Sequence, residues 1–137
     1  MTDNQIETDD RFPSGEWTGF FLQPSYLSER ATMELTLSFH KGLIRGEGKD
    51  FVGEFLMRGH YDLGSGDVSI NKQYVGLYNV FYKGCAELDK GLWGVWSLDN
   101  SDHGGFHIWP KGMADPTGSE LHEAVDLPVE ELTSVIA

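Results

Sequence analysis

The stretch TMELTLSFHKGLIRGEG, residues 32–48, decides the fold. In its first half Met33, Leu35, Leu37 and Phe39 alternate with Thr32, Glu34, Thr36 and Ser38, the two-residue period of a strand with one face in a core. HKG at 40–42 then supplies a short turn, and a second strand follows in which Gly46 and Gly48 share a parity with Ile44. Short turns join antiparallel neighbours. Glycine inside a strand marks a bend, a bulge or a close backbone approach. An antiparallel sheet that bends this often is expected to curl up on itself.

The same pattern extends outward. Turn signals recur at LGSG (63–66), LDKG (88–91) and DNSDHGG (99–105), and the segments between them alternate like the first. Strands are expected near 16–23, 32–39, 42–50, 52–62, 67–74, 77–84, 91–98 and 104–110. Eight sequential strands with one apolar face each can close into an up-and-down barrel or fold into a two-sheet sandwich. The glycines favour the barrel, where they would let the wall coil or leave empty space inside. The expected fold is therefore all-β, an eight-stranded antiparallel up-and-down β-barrel over 15–110. An acidic N-terminal arm (1–14) precedes it and an acidic tail (111–137) follows. Thr117 stands three residues before Glu120 at capping-box spacing, and Pro128 follows, so the tail is expected to hold a short helix at 118–126 or to be disordered.

The chain has 137 residues, enough for one domain with one core. Its formal charge is −12, concentrated at the ends: five acids and one arginine in 1–16, six acids and one lysine in 111–137. No cluster of Lys and Arg opposes that charge, which argues against nucleic-acid binding. No apolar run approaches the roughly 20 residues of a membrane helix, so no membrane association is expected. Cys85 is the single cysteine. With no disulfide and no signal-like N-terminus, the expected location is cytoplasmic.

Strand parity nominates the site. If Ile44, Gly46 and Gly48 face inward, Asp50 ends their row, and Val68, Ile70, Lys72 and Tyr74 form an equivalent row two strands on. A buried charge needs a partner, so Asp50 and Lys72 are expected to pair. A register slip of one residue would turn both outward. Tyr78, Val80 and Tyr82 share one parity of 77–84, and with Tyr61 and Tyr74 they would add aromatic walls with polar tips. Trp96 shares an inward parity with Leu92 and Gly94, while the opposite register would nominate Trp93.

No catalytic residue, cofactor or metal site is assigned. His103 and His107 would lie about 13 Å apart on a regular strand, too far for one ion. Cys85 has no CxxC partner, and no catalytic triad or phosphate loop stands in a suitable context.

GEW at 15–17, opening the first strand of such a meander, resembles the G-x-W that begins calycin barrels, the group of lipocalins and avidins. MELTLSFHKGLIRGEG is similar in layout to the avidin second hairpin. The resemblance spans 15–110 and implies that Trp17 plugs one barrel end. The chain departs from those families elsewhere. Only Lys111 follows Trp109 where lipocalins place an arginine, and Gly48 stands where avidins use a tyrosine on biotin. Biotin binding is not carried over.

These features favour a barrel that binds a small amphipathic or aromatic molecule in its lumen through Asp50, Lys72, Tyr61, Tyr74, Tyr82 and Trp96. The alternatives are a solid interaction or self-association module with Phe81, Trp93 and Trp109 exposed toward a protein partner or a second copy, and a barrel isomerase or cyclase using Asp50 or Lys72.

Overall fold

The computed structural model describes residues 7–23, 30–99 and 102–117. Its strands are β1 (Gly15–Leu22), β2 (Arg30–His40), β3 (Leu43–Lys49), β4 (Glu54–Tyr61), β5 (Asp67–Tyr74), β6 (Asn79–Glu87), β7 (Gly91–Ser97) and β8 (His103–Pro110). Each pairs with the next, and β8 returns antiparallel to β1, so the sheet closes into an up-and-down barrel. This is the eight-stranded topology expected from the sequence and is consistent with a calycin-like fold. The largest boundary shift is at β6, expected over 77–84. Tyr74 N–H donates to the Tyr78 carbonyl and Leu77 N–H to the Tyr74 carbonyl, so residues 75–78 are a turn.

The alternation of residues 32–39 is visible in full, with Met33, Leu35, Leu37 and Phe39 buried and the intervening residues exposed. Ile44 is buried in the β3 row and Val68, Ile70, Lys72 and Tyr74 in the β5 row, which settles the register in favour of an inward Lys72. The glycines act by close approach. A Cβ on Gly46 would meet the Leu37 side chain and the Thr36 carbonyl, and one on Gly48 would meet the Glu34 carbonyl and Leu35. Gly84 and Gly94 face each other across β6 and β7, each with the other strand's backbone where a Cβ would stand. They let the wall coil tightly.

One barrel end is plugged by the segment before β1. Phe12 is fully buried against Phe39 and Tyr61, and Trp17 packs on Phe39 while its indole N–H donates to the Pro13 carbonyl at 2.9 Å. Phe39 N–H donates to Ser14 Oγ, Glu7 N–H donates to the Phe39 carbonyl, and Tyr61 Oη donates to Glu7 Oε1 at 2.7 Å. Trp17 therefore sits at a closed end, beneath a cap in which Phe12 was not expected from the sequence.

Beyond β8 the chain doubles back along the outer wall. Lys111 N–H donates to the Glu16 carbonyl, and by Thr117 the chain has reached the start of β2, where Arg30 donates to Thr117 Oγ1 at 3.0 Å. Phe20 lies on the outward parity of β1, yet only 7% of it is exposed. The Arg30 guanidinium lies 4.1 Å from its ring centroid and the Trp109 ring 6.1 Å away. Trp109, expected to be exposed, is buried in this cluster, whereas Phe81 and Trp93 are exposed as expected. The helix expected at 118–126 lies outside the described residues.

Candidate functional site

Asp50 closes the β3 row at the end of the barrel opposite the plug. Its backbone enters a tight turn in which Asp50 and Gly53 exchange N–H to carbonyl bonds, and its Oδ1 accepts from Val52 N–H at 2.9 Å. This fixes the carboxylate so that Oδ2 turns inward, where it accepts from Lys72 Nζ at 2.6 Å and from Tyr74 Oη at 2.8 Å. Both the Asp50 and Lys72 side chains are fully withdrawn from solvent.

The ammonium has three N–H groups and three acceptors: Asp50 Oδ2, Tyr82 Oη at 3.1 Å and Met33 Sδ at 3.8 Å. Around it stand the rings of Phe55, Phe21, Tyr74 and Tyr82, with centroids 4.3, 4.7, 4.8 and 5.3 Å from Nζ. Such rings present their negative faces to a cation and offset part of its lost hydration. Burial still dominates and lowers the Lys72 pKa to about 8, against the opposing pull of Asp50. Burial first, then the Asp50 carboxylate, holds the phenols of Tyr74 and Tyr82 well above their ordinary range.

Above this layer lies a cavity of about 60 Å³, walled by Phe21, Tyr74, Val80, Tyr82 and Trp96. Gln23, Val52, Tyr78, Leu98 and Asp102 form its upper edge. Ligand cavities for drug-sized molecules measure about 300–1,000 Å³, so this space fits a few waters or a small head group. In the turns at this end of the barrel Phe51, Val75, Leu77 and Tyr78 are 65, 59, 61 and 47% exposed, and Tyr78 lines the cavity. Phe51 also stacks on Phe21, with centroids 6.2 Å apart.

Of the residues nominated from sequence, Asp50, Lys72, Tyr74 and Tyr82 form one connected cluster, and Trp96 lines the cavity with its indole N–H on the Leu22 carbonyl at 2.8 Å. Tyr61 faces inward but at the plugged end, where it binds Glu7 and stands apart from the group. Tyr78 and Val80, on the inward parity of Tyr82, line the cavity as expected, whereas Phe21 and Phe55 were missed. Phe21 could have been found, since it shares its parity with Trp17.

Elsewhere, His107 Nε2 lies 2.6 Å from the Lys90 carbonyl, and burial pushes the Cys85 thiol up, away from a reactive thiolate. Comparison of the chain with protein-family models, with curated proteins and with solved structures returns no match.

Proposed function

We propose that this barrel binds a small amphipathic molecule at its open mouth, with a compact head in the cavity over the Lys72 layer and an apolar body on the rim. The observation that supports this most is the asymmetry of the two ends. One end is sealed by Phe12, while the other keeps a pit lined by Phe21, Tyr78, Tyr82 and Trp96, with Asp102 and Gln23 also in its lining and the exposed Phe51 stacked on Phe21. Exposed apolar groups gathered around a recess mark binding sites more often than solvent-facing packing. The avidin-like or lipocalin-like comparison suggested by GEW is compatible with such a role. The volume excludes full engulfment of a ligand within a lumen of this size.

The test is amide NMR shift mapping of the labelled protein against a set of bicyclic aromatic fragments. Perturbations confined to residues 50–53, 74–78 and 96–99 would support binding at the mouth. No perturbation there would overturn it.

A second reading has one observation in its favour. Phe81, Trp93 and Val95 stand 42–47% exposed on the outer face of β6 and β7 and could take a protein partner. Fragment shifts gathered on that wall would favour it.

A further inference from the structure

Hydrogen-bond accounting in the Lys72 layer leaves one group over. Lys72 Nζ spends its three donors on Asp50, Tyr82 and Met33, and Tyr74 spends its hydroxyl proton on Asp50. Tyr82 Oη receives a bond from Lys72, so its own proton points elsewhere, and among the described residues nothing accepts it. Tyr82 is 2% exposed, and a buried hydroxyl normally finds a partner. Beside it is open space in the cavity it lines, whose lining includes the same Phe21, Tyr74 and Tyr82 that surround Nζ.

A hydroxyl whose oxygen already accepts from an ammonium is a stronger donor than a free phenol, because each bond polarises the next. We propose that the Tyr82 hydroxyl, backed by Lys72, is a specificity-determining donor that selects ligands whose head group carries a hydrogen-bond acceptor oxygen, such as a ketone or amide carbonyl. This rests on the mouth-binding reading and adds the chemistry of the head group. The size of the cavity sets the same limit, since about 60 Å³ admits a carbonyl and the ring edge that bears it but little more. Trp96 contributes shape alone, because its indole N–H is already committed to the Leu22 carbonyl.

The experiment uses the full chain and two probes of one shape: 1-indanone, with a carbonyl, and indane, without one. Affinities are read from amide shift titrations of wild type and Tyr82→Phe. The expected result is that both probes bind at the mouth, that 1-indanone binds wild type about fivefold to tenfold more tightly, and that Tyr82→Phe removes this preference without weakening indane. Equal affinities, a preference for indane, or a ketone preference that survives Tyr82→Phe would each overturn the donor role while leaving mouth binding standing. No shifts at the mouth from either probe would overturn both. If Tyr82→Phe fails to fold, the wild-type preference is joined by tyrosine labelled with carbon-13 at Cζ. The Tyr82 signal should then move with 1-indanone and stay still with indane, and a signal that does not distinguish the two probes would overturn the inference.

Discussion

Lys72 Nζ and Asp50 Oδ2 are 2.6 Å apart, and neither side chain reaches solvent. Replacing one member of a buried pair leaves an uncompensated charge. Asp50→Ala is expected to cost about 3–5 kcal/mol, because the ammonium keeps only Tyr82 and Met33. Lys72→Met should cost less, about 1–3 kcal/mol, since Asp50 retains Tyr74 and Val52 as donors. The double variant should recover part of the combined loss. Urea unfolding of all four forms tests this, and additivity within about 0.5 kcal/mol would show that the pair is uncoupled.

Stability should rise from pH 7 to between pH 9 and 10 and then fall. The folded chain releases the Lys72 proton near pH 8, whereas the unfolded chain holds it to about 10.5. Between those values the unfolded state binds more protons, so stability grows with pH, by on the order of 3 kcal/mol at most. The tyrosines act in the opposite sense. Tyr61 is raised to about 12, mainly by burial, and Tyr74 and Tyr82 are raised as well. Above pH 10 the unfolded phenols ionise first and pull the equilibrium toward unfolding. Thermal melts in a Cys85→Ser background, which removes the thiol titrating in the same range, should show the maximum. Lys72→Met should flatten the rising limb.

The cap before β1 is expected to be a large single contributor to stability. Phe12→Ala removes a fully buried ring from its place on Phe39 and Tyr61 and should cost about 3–5 kcal/mol. Tyr61→Phe, which loses only the bond to Glu7, should cost about 1 kcal/mol. Urea midpoints would measure both, and a Phe12→Ala loss below that of Tyr61→Phe would contradict the packing described.

Gly84→Ala places a methyl group against the Trp93 carbonyl and the Gly94 backbone. Backbone cannot yield as a side-chain tip does, so a loss of about 1–3 kcal/mol or more is expected. Val95→Ala, on the exposed outer face of the neighbouring strand, should change stability by no more than about 0.5 kcal/mol. Equal effects would mean that the β6–β7 corner is looser than the structure shows.

Strand parity carried most of what the sequence revealed. It placed Met33 through Phe39 in the core, and it brought Asp50 and Lys72 to the same interior because both sit at even steps from clear apolar residues. Parity fixes a side chain's face but not its height along the barrel axis. Tyr61 therefore passed as a companion of Tyr74, although β4 ends at one mouth and β5 at the other. Trp109 failed for another reason: it lies on the outer face, but the rings of Phe20 and His107 pack against it there and it is 7% exposed. The cap was illegible because residues 7–14 have no period to read. The aromatic surroundings of the Lys72 ammonium depended on how the Phe21 and Phe55 rings close on Nζ, which no spacing encodes.

The seam between β1 and β8, where Trp17 pairs with Pro110 and Phe21 with Phe106, joins the first strand to the last. Every other pairing in the wall can form as soon as the next strand leaves the ribosome, but this one waits until almost the whole barrel has been synthesised. Until then the nascent sheet has two bare edges, one of them carrying GEWTGFFL, and unpaired edges of that composition recruit other chains. Contacts so distant in sequence also slow folding. The interval before the seam zips is thus when synthesis at high concentration would lose this protein to aggregation, and slowing translation or lowering the temperature should raise the yield of closed barrels.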